Sequence, residues 1–278
     1  MSWLKRAQQV GTILLLLWIA GVGATADLDD ERELAAQLAA RNSPEDVLKL
    51  SVSGIPFQGL YRDSLVKQRR GGIILLHGRK SNQDAAELIH PLRVALPGHG
   101  WATLTCSLPL AETDAEAANF ASLMPESVGR LRAAVTAMQQ KDIQDIALIG
   151  HDSGAWVALN YLLQQPDPAI RAVVLLDPAP IRGLDKFPVK LARLSSLKLP
   201  LLELLSHRSG DTPDDEARER KTALKTLADY HQIRVETPND GWKTVEDYLL
   251  QRLHGWLSRM LARPKPAATP ADTAPTAP

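Results

Sequence analysis

The chain has 278 residues, of which 45% are hydrophobic and 23% charged, so it can bury a core of ordinary globular size. Its 32 Lys and Arg residues balance its 32 Asp and Glu residues, and a neutral chain has no basic field to hold a phosphate backbone. We therefore expect no nucleic-acid partner. The single cysteine, Cys106, excludes an internal disulfide and a cysteine-rich metal site, and its apolar neighbours predict a buried structural thiol.

The amino terminus carries the pattern of a secretory signal. Lys5 and Arg6 precede an apolar run over residues 12–23, and Ala24-Thr25-Ala26 supplies the small residues of a cleavage site. The pattern predicts a signal peptide over residues 1–26. The alternative is an uncleaved anchor, for which the 17 uncharged residues from Val10 to Ala26 are marginal, because a membrane span needs about 20. Such an anchor is the only membrane contact that we expect.

Between the two ends, short apolar runs alternate with helical stretches. This alternation predicts an α/β fold with a mostly parallel sheet and helices on both faces. No internal repeat or linker divides it, so we expect one domain over residues 27–262. Residues 263–278 are rich in Pro, Ala and Thr without apolar periodicity, which predicts an extended, disordered tail.

The predicted elements follow one another closely. In chain order they are a helix over 31–41, strands over 47–52, 57–61 and 72–77, a helix over 84–96, a strand over 101–107, a helix over 127–140, a strand over 145–150, a helix over 153–164, strands over 172–177, 199–205 and 232–235, and a helix over 245–260. The first two strands alternate in polarity, which is typical of an antiparallel edge, whereas fully apolar strands are typical of a sheet centre. We therefore expect an eight-stranded sheet.

A very short turn, Gly150-His151-Asp152-Ser153-Gly154, joins a strand to a helix. Its pattern of small residue, any residue, nucleophile, any residue, small residue is that of a nucleophile elbow. Side chains two positions before and after the nucleophile would collide with the neighbouring strand and helix, and glycine relieves both contacts. Asp152 therefore occupies the nucleophile position, because centring the turn on Ser153 would place His151 where only a small residue fits.

The elbow, the pair His77-Gly78 and the strand order resemble the α/β-hydrolase superfamily over residues 45–262. Further stretches resemble an exported proteobacterial family known as domain of unknown function 3530; they are Leu75–Gly78, Pro91–Pro97, His99–Leu104 and Leu253–Leu257. The resemblance implies an α/β-hydrolase fold and a periplasmic protein without an established reaction. Only about twenty residues separate Asp177 from Leu199, so we expect no full cap domain.

Three positions decide whether hydrolase chemistry is intact. Asp152 resembles the nucleophile of haloalkane dehalogenases and epoxide hydrolases, but those relatives carry a cap. The acid of a triad would be Asp211 after the seventh strand or Asp177 after the sixth, although each also suits a helix start or a turn. The base is missing, because the loop after the eighth strand, residues 236–246, contains no histidine. Without it the usual proton transfer, worth roughly 10²–10⁴-fold in rate, is lost.

Other histidines lie at the carboxyl ends of predicted strands, the edge where α/β folds bind ligands. His207 is the best substitute base, since it could pair with Asp211 and approach Asp152 or Ser153. By contrast, His254 falls well inside the last helix, where a surface or packed imidazole is expected.

An oxyanion hole would use the backbone N–H of Ser153 and one from Gly78 or Arg79. His77 is expected to organise the loop that carries this second donor, and His151 to organise the elbow.

Two functions remain open. In the first, the fold is catalytically silent and binds a small ligand or a partner, with Asp152 ionised and simply satisfying the donors that surround it. In the alternative, it is a non-standard hydrolase of small carboxylic esters that uses Asp152 or Ser153. No histidine or carboxylate spacing is typical of metal ligands, so we expect neither a metal nor a cofactor.

Overall fold

The computed structural model describes most of the chain between residues 28 and 264. The described ranges are 28–79, 81–109, 117–164, 167–181, 189–208, 214–238 and 241–264. The predicted signal peptide, residues 265–278 of the predicted tail and the candidate acid Asp211 lie outside them. Within the described ranges, none of the helices has the length and hydropathy of a membrane-spanning segment.

An eight-stranded sheet forms the middle layer of the described structure. Its strands are β1 (Val47–Val52), β2 (Ile55–Arg62), β3 (Gly71–Leu76), β4 (Trp101–Cys106), β5 (Ile146–His151), β6 (Ile170–Leu176), β7 (Leu201–His207) and β8 (Tyr230–Glu236). They lie in the order β1-β2-β4-β3-β5-β6-β7-β8. β2 pairs antiparallel with both β1 and β4. The remaining pairs are all parallel, so β3, β4, β5, β6, β7 and β8 run in one direction. The predicted fold class is confirmed.

Helices cover both faces of this sheet. They are α1 (Leu28–Arg41), α2 (Ile89–Ala95), α3 (Ala117–Gln139), α4 (Ser153–Gln164), α5 (Asp215–Leu224) and α6 (Glu246–Leu261). One apolar cluster joins α3 and α4 to the sheet, and a second joins α2 and α6 to the opposite face. The connection from β6 to β7 is short, and its described part contains a 3-10 turn at Leu191–Ser196, so the expected absence of a full cap agrees with the fold.

Strand β3 shows how the sequence builds the sheet centre. All six of its residues are buried. Ile73 and Leu75 belong to one apolar cluster, whereas Ile74 and Leu76 belong to the other, because successive side chains of a strand point to opposite faces. Burying each such side chain fully stabilises the fold by about 1.5–3 kcal/mol. A strand that is apolar at every position therefore lies between two helical layers.

Helix α2 begins five residues later than predicted. The segment before it forms turns instead, because the Asn82 side chain accepts a hydrogen bond from the Asp84 backbone N–H (2.9 Å). The Asp84 carboxylate then accepts hydrogen bonds from Arg93 Nε (2.9 Å) and lies 3.0 Å from His90 Nδ1. The apolar spacing that predicted a helix from Asp84 therefore spans a turn and a helix.

Helix α3 begins ten residues earlier than predicted. Pro125, which precedes the predicted start, lies inside the helix. Ser127 does not act as a cap, because its hydroxyl donates to the Leu123 carbonyl one turn earlier (2.9 Å). Burial of Leu123 and Met124 against the core stabilises the extra turns before the proline.

Helix α5 was predicted only as a helix start near Asp211. Its described cap is Asp214, whose carboxylate accepts a hydrogen bond from the Glu216 N–H (3.0 Å). The ten-residue sequence is rich in charge and offers little apolar periodicity, yet Ala217, Arg220 and Leu224 are buried.

Candidate active site at the carboxyl edge of the sheet

The elbow connects β5 to α4 through Asp152, whose φ of 51° lies in the left-handed region. The space around its two glycines explains their presence. A Cβ on Gly150 would lie 2.5 Å from the Gly154 carbonyl oxygen, and a Cβ on Gly154 would lie 2.5 Å from the Leu76 carbonyl oxygen. Both distances are far inside van der Waals contact. The backbone therefore places Asp152, and not Ser153, at the strained position of the turn.

The Asp152 carboxylate is held by the chain itself. Its Oδ2 accepts a hydrogen bond from the backbone N–H of Arg79 (2.8 Å) and lies 3.5 Å from Arg79 Nε. Gly78 allows this approach, since a Cβ there would lie 2.6 Å from Asp152 Cβ. The Arg79 N–H is one of the donors expected to form an oxyanion hole. The carboxylate at the elbow thus occupies a donor that a substrate oxygen would otherwise use.

Asp177 follows β6 directly and also has a positive φ, of 42°. Its Oδ1 accepts the backbone N–H of Ser206 (2.6 Å), and its Oδ2 accepts the Ser206 hydroxyl (2.6 Å) and the indole N–H of Trp242 (2.7 Å). The Asp152 carbonyl accepts the N–H of Ala179, which ties the two strained turns together. Three donors therefore saturate the one described acid that suits a triad.

Trp242 belongs to the loop after β8, where a triad enzyme keeps its histidine. It lies in a 3-10 turn at Gly241–Val245 and is buried. A triad histidine donates its Nδ1–H to the acid and keeps Nε2 free to accept a proton. An indole has a single N–H and no acceptor nitrogen. Trp242 thus reproduces the donor half of that pairing with Asp177 and lacks the half that would act as a base.

His77 is built into the loop that carries Arg79. Its Nδ1 lies 2.9 Å from the Gly78 carbonyl oxygen, and its Nε2 accepts the backbone N–H of Leu108 (3.0 Å). These partners assign the hydrogen to Nδ1. Complete burial lowers the pKa of His77 to about 4, so the ring is neutral near pH 7. Its contacts fix the loop after β3 that carries Arg79.

His151 lies just before Asp152 at the end of β5. Burial lowers its pKa, and the carboxylates of Asp177, Asp152 and Glu87 act in the opposite direction. Its ring is therefore also disposed to be neutral.

His207 and Asp152 line the same cleft, which has a volume of about 420 Å³. The Nδ1 of His207 lies 3.1 Å from the Arg208 carbonyl oxygen. Among the described residues, no hydrogen bond joins His207 to Asp152 or to Ser153. Its predicted partner, Asp211, lies outside the described ranges. The structure therefore brings this imidazole to the cleft without coupling it to the elbow.

Ser153 is the first residue of α4 and is only 3% exposed. The side chain of Asp152 is 24% exposed, so of the two candidate nucleophiles Asp152 is the more accessible. The remaining histidines lie elsewhere. His231 is within β8, near its start, and His254 packs against Trp101 and His99 at the opposite edge of the sheet.

Arg220 of α5 also lines the cleft, and sequence reasoning missed it. It is 1% exposed, and its Nε donates to Glu203 Oε1 (2.7 Å). Its Nη1 lies 4.0 Å from Glu216 Oε2, but neither Nη1 nor Nη2 has a hydrogen-bond partner in the part of the chain that the structure describes. Buried donors of this kind are uncommon in native proteins. A charged helix is typical of a solvated surface, so the sequence carries no signal for this residue.

Metal-ligating side chains do not converge in the described ranges, since no group of three or more His, Cys, Asp or Glu residues is placed to hold an ion. The ionisable side chains that line the cleft include Asp152, Asp177, His207 and Arg220.

Solved structures with the same architecture are hydrolases. An esterase from Pyrococcus furiosus, Pf2001, has a TM-score of 0.62 at 17% identity, covering 79% of this chain and 95% of its own. Est1E from Butyrivibrio proteoclasticus has a TM-score of 0.62 at 13% identity, covering 78% of this chain and 100% of its own. A proline iminopeptidase from Mycobacterium smegmatis has a TM-score of 0.59 at 10% identity, covering 78% and 99%. At such identities the likeness establishes the fold alone.

A family model adds a sequence relationship that the structures do not. No curated protein sequence matches the chain. The model for a protein family of unknown function, DUF3530, matches residues 19–129 and 112–259, which together span most of the chain. The resemblance that the motifs suggested is therefore confirmed, and the chain is a member of the DUF3530 family with an α/β-hydrolase fold.

Proposed function

We propose that this protein is an exported α/β-hydrolase-like protein that binds a small ligand in the cleft beside Asp152 without turning it over. The hydrogen bond from Trp242 Nε1 to Asp177 Oδ2 carries this proposal (2.7 Å). In a working triad the acid orients an imidazole, and the imidazole accepts the proton of the nucleophile. Here the acid orients a group that has no lone pair to accept a proton.

The state of the elbow supports the same conclusion. A reacting carbonyl needs N–H donors that are free to stabilise its developing negative charge. The Arg79 N–H is engaged by Asp152 Oδ2 at 2.8 Å. A substrate would have to displace a carboxylate that the fold already holds. Asp152 is best explained as an ionised acceptor that joins the elbow to the loop after β3.

Arg220 supports the binding half of the proposal. Arg220 lines the cleft, and its two buried terminal nitrogens have no hydrogen-bond partner among the described residues. Burying such donors unpaired costs about 1–3 kcal/mol or more. A ligand with acceptor oxygens would satisfy them. Since Glu203 and Glu216 already offset the charge of Arg220, a ligand with carbonyl or hydroxyl oxygens suits the site better than a strong anion.

Export is proposed from the first 26 residues, whose basic, apolar and small-residue segments form a signal-peptide pattern. We expect the mature chain to begin at Asp27 and to reside in the periplasm. The mass of the protein recovered from its native host tests this directly, since retention of residues 1–26 would instead indicate an anchored form.

Ester hydrolysis remains the competing function, and one observation favours it: His207 lines the same cleft as Asp152. The test is a screen of acyl esters of several chain lengths with the wild-type chain, Asp152→Asn, Ser153→Ala and His207→Gln. We expect no saturable turnover from any of them. Turnover that Asp152→Asn or His207→Gln abolishes would establish the enzyme and refute the silent fold.

Ligand binding is tested separately, by thermal shift against small polar compounds. The matched variant is Arg220→Lys, which keeps the positive charge beside Glu203 but removes the unpaired Nη donors. We expect compounds that raise the melting temperature of the wild type to lose at least half of that shift in the variant. An equal shift in both proteins would place the ligand outside the cleft.

A further inference from the structure

The described structure contains a larger cavity at the opposite edge of the sheet, with a volume of about 660 Å³. It lies where β3 and β4 begin and where the last turn of α6 ends, and its lining includes Trp101, Ser258 and Leu261. Because β3 has six residues at about 3.3 Å each, roughly 20 Å separates this cavity from the elbow. It is therefore a site independent of the cleft.

The ionisable groups in the described part of its lining are all basic. They are Arg69, Arg70, His99 and His254, and no Asp or Glu belongs to that described part. Arg69 is partly engaged, since its Nη1 donates to the Lys141 carbonyl (3.1 Å) and lies 3.7 Å from Asp63 Oδ1. Arg70 has no ion pair with any residue in the described ranges. Two adjacent arginines, of which one has no ion pair with a described residue, create a local positive field in a chain that is neutral as a whole.

The two imidazoles are fixed relative to each other. Their ring centroids are 4.7 Å apart, and His254 Nδ1 accepts the indole N–H of Trp101 (3.1 Å). A neutral imidazole that accepts at Nδ1 carries its hydrogen at Nε2, so His254 is a donor. The pKa of His254 is lowered by burial and by the neighbouring His99 and Arg70.

One opposing contribution comes from the carboxyl end of α6. The last carbonyls of a helix carry about half a negative charge, whereas the two arginines carry two positive charges. The helix end therefore offsets part of one arginine and leaves the cavity positive.

We propose that this cavity binds a phosphate group. Guanidinium donors match the tetrahedral oxygens of phosphate and form charge-assisted hydrogen bonds with them. The volume exceeds what one phosphate fills, so there is room for an attached organic group. Leu65 is 67% exposed and Val66, which lines the cavity, is 41% exposed. Apolar side chains beside a basic cavity suit the headgroup of a phospholipid, and the cavity itself also suits a soluble phosphomonoester.

The test uses the full chain, Arg70→Gln and the matched control Lys221→Gln, which removes one exposed cation from α5. One arm titrates inorganic phosphate and glycerol phosphate by calorimetry. The other measures sedimentation with phosphatidylcholine vesicles, with and without one third phosphatidylglycerol. All three proteins share the same amino terminus, so differences between them report the cavity. We expect Arg70→Gln to weaken binding about fivefold or more, and Lys221→Gln to leave it unchanged.

The two arms separate the sources of the phosphate. A loss in the calorimetric arm assigns a soluble phosphate compound. A loss confined to acidic vesicles, and reduced further by Leu65→Ser, assigns a phospholipid headgroup. No binding in either arm, or equal weakening by Arg70→Gln and Lys221→Gln, would overturn the proposal.

Discussion

The two edges of the sheet differ in how their polar groups are satisfied. At the carboxyl edge, Asp152 and Asp177 receive hydrogen bonds from Arg79, Ser206 and Trp242. At the amino edge, a cavity is lined by Arg69, Arg70, His99 and His254, and its lining has no carboxylate among the residues that the structure describes. The edge that carries the enzyme-like motif has its acids engaged by the chain, and the edge without a motif has free donors.

This difference shows that the motif of a site and its capacity to bind a ligand are separate properties. A polar group that is already paired contributes to the stability of the fold. A buried donor without a partner instead lowers the free energy of binding when a ligand accepts its hydrogen bond. At the carboxyl edge we propose that this capacity resides in Arg220, whose Nη atoms have no hydrogen-bond partner among the described residues. The following substitutions alter the hydrogen bonds of the carboxyl edge.

The largest effect is expected from restoring a triad. In Asp152→Ser with Trp242→His, the new imidazole can donate to Asp177 and accept the proton of the new hydroxyl, while the Arg79 N–H becomes free for an oxyanion. We expect hydrolysis of p-nitrophenyl acetate to exceed that of either single variant by about 100-fold. Asp152→Ser with Trp242→Phe is the control. Equal rates for both double variants would mean that the loop does not present residue 242 to the elbow.

Removing the acceptor charge at Asp177 should cost the most stability. Asp177→Asn leaves an amide hydrogen facing one of three donors, and we expect a loss of roughly 3–5 kcal/mol in the free energy of unfolding by urea. Trp242→Phe removes a single donor and should cost about 1–2 kcal/mol. The reverse order would show that the Asp177 carboxylate is not held as described.

His77 should make stability depend on pH. Its folded pKa of about 4 lies below the ordinary value of 6.5, so the unfolded chain takes up the proton first as pH falls. Its contribution, about 3 kcal/mol, is therefore complete above pH 6.5 and is lost between pH 6.5 and 4. Urea unfolding across this range should show a shallower slope for His77→Gln than for the wild type. Parallel slopes for the two proteins would exclude a buried neutral His77.

The smallest effect is expected from Arg79→Ala. The short hydrogen bond to Asp152 comes from the backbone N–H, which alanine retains, and the guanidinium is a part-exposed group 3.5 Å away. We expect a change below about 0.5 kcal/mol in the free energy of unfolding. A loss above about 2 kcal/mol would mean that the Arg79 side chain, and not its backbone N–H, holds the Asp152 carboxylate.

Local patterns in the sequence predict much of the fold and the position of the elbow. The apolar run of β3 and the spacing of Gly150 and Gly154 are features of adjacent residues, so a single sequence contains them. The same reasoning established that residues 236–246 lack a histidine.

The contacts that decide the chemistry could not be predicted in this way. Trp242 contacts Asp177, which lies 65 residues earlier in the chain. Arg220 is buried although it belongs to α5, a helix with the charge-rich composition of a solvent-exposed helix. Such pairings depend on how β6, β8 and α5 pack. The shortened α2 has a related cause, since the Asn82 side chain competes with the helix for the backbone.

The most direct test of the silent elbow is incorporation of ¹⁸O into Asp152. If Asp152 displaced halide from a haloalkane or opened an epoxide, hydrolysis of the resulting aspartyl ester in H₂¹⁸O would place solvent oxygen in its carboxylate. Attack on an acyl ester would expel the alcohol and give a mixed anhydride, which labels Asp152 when water attacks the aspartyl carbonyl. The chain is incubated in H₂¹⁸O with acyl esters, epoxides and haloalkanes, and the peptide containing Asp152 is weighed by mass spectrometry. We predict no enrichment above a substrate-free control. A substrate-dependent gain of about 2 Da at Asp152 would contradict the account.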